Sequence, residues 1–129
     1  MKKILIVDDE KEIAKLIRER LAQEKKFSVF TASGAQEALD ICKTQTPDLI
    51  LLDIAMPEMD GYTLCDKLRK EKNTRNTPVL FLTGKDLEPQ GIIERCESLG
   101  VCGYVSKNST LKELIEKIEE VTNVPPKAI

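Results

Sequence analysis

A doubly wound α/β fold, with a five-stranded parallel sheet between two layers of helices, is what the 129-residue sequence predicts. Two observations carry this expectation. Short β-rich runs alternate with amphipathic helical segments five times along the chain. Two of those runs, at 4–7 and 49–52, are unbroken aliphatic stretches, the mark of strands buried on both faces rather than one. A third consideration says where to look: in such sheets ligands sit beyond the carboxyl ends of the strands.

The elements follow in order. After the run at 4–7, Ile13, Leu16, Ile17 and Leu21 recur at helical spacing. Asp9 and Glu12 there have the spacing of a capping box. A β-rich run at 27–31 comes next, and Ser33 with Gln36 opens a second helix whose apolar face is Ala35, Ala38, Leu39 and Cys42. Pro47 separates that helix from the run at 49–52. Asp60 and Gly61 start a third helix carrying Tyr62, Leu64, Cys65 and Leu68. Pro78 precedes the run at 79–82, which ends at Thr83-Gly84. A helix over 88–99 stops at Gly100. The fifth strand covers 101–106, and Thr110-x-x-Glu113 caps a last helix with Leu111, Leu114, Ile115, Ile118 and Val121 inward. Residues 1–122 read as one domain and 123–129 as a C-terminal tail or the start of a linker.

Composition removes several functions. A net charge of −2 provides no electrostatic argument for nucleic acid or an anionic membrane. The apolar runs fall far short of the ~20 residues of a membrane span, so the expectation is a cytoplasmic protein. The basic run Lys67, Arg69, Lys70, Lys72 and Arg75 is interrupted by Glu71 and has no aromatic interleaving; it reads as the solvated, cation-favouring end of a helix. Cys42, Cys65, Cys96 and Cys102 have no Cys-x-x-Cys spacing and read as buried free thiols. The chain has no histidine, which excludes Ser-His and Cys-His nucleophile pairs, a histidine general base and a phosphohistidine donor role. Thr83-Gly84-Lys85 lacks the upstream glycine of a Walker A loop.

What does arrive at the strand ends is Asp8 and Asp9 after the first run, Asp53 after the third, Thr83 after the fourth and Lys107 after the fifth. Singly, each has an ordinary explanation as a cap or turn residue. Together they describe a site. Two carboxylates about 4 Å apart repel by roughly 4 kcal/mol at an effective dielectric near 20, so three converging acids need a proton or a cation. Lys107 supplies one positive charge. A hard divalent ion supplies the rest, and Mg²⁺ suits a site with few carboxylates that keeps waters for a phosphate. Asp53 is then also a candidate nucleophile, since an aspartyl carboxylate can form an acyl phosphate, with Lys107 and Thr83 binding the remaining phosphoryl oxygens.

The pattern resembles the receiver domain of bacterial two-component response regulators, with its chemotaxis-regulator-like, flavodoxin-like fold. The matching residues are Asp8-Asp9 after Ile-Leu-Ile-Val, Asp53 in Asp-Leu-Ile-Leu-Leu-Asp-Ile-Ala-Met-Pro-Glu-Met-Asp-Gly, Thr83 in Phe-Leu-Thr-Gly and Lys107 after Tyr-Val-Ser. The resemblance covers about residues 2–122. It implies that Asp53 accepts a phosphoryl group from the phosphohistidine of a sensor histidine kinase or phosphotransfer protein, and is slowly dephosphorylated. It implies that Asp8, Asp9, Asp53 and the carbonyl of Ala55 hold Mg²⁺. Thr83 and Tyr104 would be switch residues, changing how the face of the fourth helix, fifth strand and fifth helix binds a downstream protein, as a monomer or a weak phosphorylation-dependent dimer. Ala55 and Lys85 stand where dephosphorylation would be tuned.

One position departs from the resemblance. Asn108 follows Lys107 where the family usually has a proline joined through a cis bond, so the expectation is either a strained cis Lys107-Asn108 bond or a trans loop that shifts Lys107. Two other readings fit the sequence less well. A phosphate-independent pseudo-receiver would be expected to have lost an acid or the lysine, and this chain keeps them. An aspartate-nucleophile phosphatase wants a general acid two residues after the nucleophile, where Ala55 stands.

Overall fold

The computed structural model describes residues 1–84 and 89–122, and strands and helices alternate throughout them. They are β1 (Lys2–Val7), α1 (Lys11–Gln23), β2 (Phe27–Ala32), α2 (Ala35–Thr44), β3 (Leu49–Asp53), α3 (Gly61–Lys70), β4 (Val79–Thr83), α4 (Pro89–Leu99), β5 (Gly103–Ser106) and α5 (Leu111–Thr122). All strand pairs are parallel, in the order β2-β1-β3-β4-β5. The doubly wound prediction holds. The chain reverses direction across the sheet between β1 and β3, which opens a crevice at their carboxyl ends.

Strand alternation divides the core into two halves. Ile4, Ile6, Leu49, Leu51, Leu80 and Leu82 pack with Ala14, Ile17 and Leu21 of α1 and Leu114, Ile115 and Ile118 of α5. Leu5, Val7, Ile50, Leu52, Val79 and Phe81 pack on the other face against α2, α3 and α4. Every residue of β3 and β4 is buried, which is why these runs read as continuously aliphatic. The same period of two places the acids. Asp8 continues the row of Ile4 and Ile6, and Asp53 that of Leu49 and Leu51, so both leave the sheet on the α1/α5 side.

Local details depart from expectation where caps compete. Glu10, not Asp9, is the N-cap of α1, and no side chain closes it. Instead Asp8 Oδ1 accepts the Glu10 N–H at 2.9 Å, so the Asp9–Glu12 box gives way to a turn made by Asp8. α2 begins after Gly34 rather than Ser33; the Glu37 carboxylate accepts the Ser33 N–H at 2.8 Å and replaces the predicted Ser33–Gln36 box. Asp60 caps α3 as expected, accepting from Thr63 N at 2.8 Å, and Thr110 Oγ1 accepts from Glu113 N at 3.1 Å. Leu16 is exposed, because the buried stripe of α1 runs through Ala14, Ile17 and Leu21. Cys102 is exposed too, lying ahead of β5, while Cys42, Cys65 and Cys96 are the buried free thiols expected. The predicted helix start at Glu88, the position Lys85 and the tail 123–129 lie outside the described residues.

Candidate functional site

The apolar strands β1 and β3 end in carboxylates that water barely reaches: Asp8 and Asp53 are each 1% exposed. β1 and β3 pair directly, Val7 beside Leu52, so the next residue on each strand enters the crevice next to the other. Thr83 ends β4, where it is buried, and its carbonyl accepts the Lys107 N–H at 2.9 Å. That bond continues the β4–β5 pairing of Thr83 with Ser106 and aims the Lys107 side chain back across the strand ends.

Among the described residues, Lys107 Nζ meets three acids. It lies 2.6 Å from Glu10 Oε1, 3.1 Å from Asp8 Oδ2 and 3.2 Å from Asp53 Oδ2. Its side chain is only 11% exposed. The peptide bond to Asn108 is trans, and no described peptide bond is cis. Of the two expectations for this bond, the trans loop is the one found, and it still delivers the ammonium to the buried acids. The turn is closed by Ser109 N on the Ser106 carbonyl and by Asn108 N on Ser106 Oγ, the second a bond that proline, which lacks the donor, could not make.

Burial raises Asp53 to about 7, with the Asp8 charge and a hydrogen bond shared with Asp9 adding to it, while Lys107 opposes. Burial likewise raises Asp8, against the Glu10 N–H and Lys107. Burial disfavours the charge on Lys107, but hydrogen bonds to Glu10 and Asp8 and the charges of Asp8 and Asp53 outweigh it and hold the amine above the usual lysine range. The inner oxygens Asp8 Oδ2 and Asp53 Oδ2 are shut off from water and receive no well-aligned hydrogen bond, although both lie in ion-pair range of Lys107. One lysine leaves them under-satisfied. Hard oxygen donors with excess negative charge, shielded from water, fit a divalent ion such as Mg²⁺.

The sequence-predicted residues are placed as follows. One carboxylate oxygen each from Asp8, Glu10 and Asp53 lies within 4.8 Å of the others. Asp9 is half-buried and lies outside that trio. Ala55 is exposed on the loop directly after β3. Tyr104 lies on β5 beside Phe81 and is 37% exposed. Glu10 was missed; the available signal was that it is the third consecutive acid of Asp8-Asp9-Glu10. Arg69 was also misread as part of a solvated helix end. Its guanidinium donates to the carbonyls of Leu99, Gly100, Thr74 and Thr77, joining α3 to the end of α4.

The loop from Asp53 to α3 is tight. Gly61 N donates to the Ile54 carbonyl at 2.8 Å, and a Cβ at Gly61 would lie 2.3 Å from the Asp53 carbonyl oxygen. Only glycine permits the start of α3 to lean so closely on the end of β3.

Comparison with known proteins agrees with this geometry. The chain is 37% identical over 120 residues to the alkaline phosphatase synthesis transcriptional regulatory protein PhoP of Bacillus subtilis, covering 93% of this chain and 48% of that protein. It is 40% identical over 119 residues to the nisin biosynthesis regulatory protein NisR of Lactococcus lactis, covering 91% and 48%. The chain thus spans about half the length of the curated relatives it matches. Among solved structures, the chemotaxis protein CheY4 of Vibrio cholerae superposes with a TM-score of 0.85 at 27% identity, over 94% of this chain and 98% of that one. The N-terminal domain of a response regulator receiver protein from Methanoculleus marisnigri gives 0.75 at 35% identity, over 94% and 96%. A family model, that of the response regulator receiver domain, matches residues 4–119, a span holding every residue of the acid–lysine site, and the chain belongs to this family of two-component receiver domains.

Proposed function

We propose that this receiver domain is a Mg²⁺-dependent phosphoacceptor switch whose acceptor is Asp53. The observation that carries the reading is the pair of buried, under-satisfied carboxylate oxygens of Asp8 and Asp53 facing one lysine. Asp8, Asp9, Asp53 and the Ala55 carbonyl would hold the metal. When bound, the ion supplies positive charge that neutralises the carboxylates and draws a phosphoryl oxygen to the site. Asp53, ionised, is the nucleophile: one carboxylate oxygen forms a bond to phosphorus as the phosphorus–nitrogen bond of a kinase or phosphotransfer-protein phosphohistidine breaks. The leaving imidazole nitrogen takes a proton from solvent. Lys107 holds a non-transferring phosphoryl oxygen, and Thr83 binds another from the end of β4. Slow attack of water on the phosphorus then breaks its bond to the Asp53 oxygen, releasing inorganic phosphate and the free carboxylate.

Output follows from Thr83 and Tyr104. Tyr104 lies partly exposed on β5 beside Phe81, and the face of α4, β5 and α5 is the one by which a downstream protein target would be engaged in a phosphorylation-dependent way. Residues 1–122 act as the receiver unit and 123–129 as tail or linker, in a cytoplasmic setting, as a monomer or a weak phosphorylation-dependent dimer.

The test is intact mass after incubation with Mg²⁺ and acetyl phosphate. A single phosphoryl adduct is expected in the wild type, absent in Asp53→Asn and absent with EDTA. An adduct that persists in Asp53→Asn would reject the assignment of the acceptor.

A further inference from the structure

We propose that Glu10 is a positioning residue for Lys107: it holds the ammonium at the mouth of the site, so that Asp8 and Asp53 can exchange the lysine for a divalent cation. This rests on the Mg²⁺-dependent reading above. The shortest ion pair of Lys107 is to the outer acid, 2.6 Å to Glu10 against 3.1 Å to Asp8 and 3.2 Å to Asp53. The three carboxylates differ in position. Asp8 and Asp53 are buried, whereas the Glu10 side chain is 56% exposed and stands at the rim.

The backbone sets Glu10 there. It is the N-cap of α1, with φ −83° and ψ 89°, and its side chain makes no capping hydrogen bond. Its own N–H is bound to Asp8 Oδ1 at 2.9 Å, which fixes the residue beside the inner acid. The carboxylate is therefore spared helix duty and engaged with the lysine. The consequence is visible in the two inner acids. Their Oδ2 atoms lack an aligned donor, and the ammonium hydrogen-bonds Glu10 Oε1 at 2.6 Å and Asp8 Oδ1 at 3.2 Å, the outer contact being the shorter. A cation entering between Asp8 and Asp53 must displace Lys107 from both, and Glu10 provides the partner that the displaced ammonium already has. Without the Glu10 charge, the inner pair are the lysine's remaining acidic partners among the described residues, and the ammonium competes directly with the metal.

The experiment is calorimetric titration of Mg²⁺ into the wild type, Glu10→Gln, Lys107→Gln and the double variant, with melting in EDTA to show that each is folded. Glu10→Gln is expected to weaken Mg²⁺ binding about two- to fivefold, the scale of an ion pair exposed on one side. In the Lys107→Gln background the same change is expected to have under about 1.5-fold effect, because the interaction it removes is already absent. Equal weakening in both backgrounds overturns the proposal and makes Glu10 an outer ligand of the cation. Unchanged affinity in Glu10→Gln, with normal Mg²⁺ binding by the wild type, overturns this inference alone. Failure of the wild type to bind Mg²⁺ overturns the phosphoacceptor reading and this inference with it.

Discussion

Asp53 is held at the end of β3 in surroundings that favour its neutral form as long as no cation is bound. Its folded-state pKa of about 7 stands above the ordinary 3.8, through burial, the Asp8 charge and the bond with Asp9. A raised pKa on an acid means that the folded state binds the proton more tightly than the unfolded chain does. The resulting stability is present below pH about 4 and is lost as pH rises through about 7. Metal-free protein in EDTA is therefore expected to lose stability between those values. Asp53→Asn, which cannot ionise, should flatten that slope and be more stable than the wild type at pH 8 by on the order of 2 kcal/mol. Urea denaturation across the pH range measures both; a variant less stable than the wild type at pH 8 would contradict the account. Glu10 escaped notice in the sequence for a reason at this scale too. A carboxylate at the start of a helix is so often explained by the cap that its second partner, 97 residues away in sequence, goes unnoticed.

At the level of elements, the site depends on how β3 hands over to α3. Gly61 sits where a methyl group would meet the Asp53 carbonyl oxygen at 2.3 Å and Ile54 Cα at 2.9 Å, both backbone atoms with little room to yield. Gly61→Ala should cost about 1–3 kcal/mol and, by pushing β3 and α3 apart, also weaken Mg²⁺ binding. Asp60→Ala provides the contrast. It removes the cap on Thr63 N and should cost about 1 kcal/mol while leaving Mg²⁺ affinity near that of the wild type. Parallel urea and calorimetric titrations separate the two. Should Asp60→Ala reduce Mg²⁺ affinity as much as Gly61→Ala, close packing at Gly61 is not what positions Asp53.

Across the whole molecule, two connections bear on stability, one at the site and one away from it. On the proposed reading Mg²⁺ would bind the folded crevice and find no comparable site in the unfolded chain, so at a hundredfold excess over its dissociation constant it should add about 2.7 kcal/mol and raise Tm on the order of 10 °C. That rise should be much smaller in Asp53→Asn, as read by thermal melts with and without the ion. The second connection is Arg69, whose guanidinium gathers carbonyls from the end of α4 and from the α3–β4 loop. Arg69→Met keeps the aliphatic stem but leaves those carbonyls short of a donor, and should cost about 2 kcal/mol with Mg²⁺ affinity unchanged. A loss below about 0.5 kcal/mol would place Arg69 back among solvated surface charges.

The alternation of apolar runs with helical periodicity was enough to determine the five βα units. The unbroken runs at 4–7 and 49–52 likewise determined that the sheet would be parallel and covered twice. Asp8, Asp53, Thr83 and Lys107 were legible for the same reason, since strand period and the rule that ligands sit at carboxyl ends act locally along each run. The tertiary structure alone decided which acid pairs most closely with Lys107, that the Lys107-Asn108 bond is trans, and that Arg69 serves the end of α4. It also decided that the caps of α1 and α2 are not made by Asp9 and Ser33. Each of these outcomes is a competition among several donors and acceptors of similar chemistry. A local pattern shows which groups can compete; the winner is set by the distances that packing two layers of helices onto one sheet imposes.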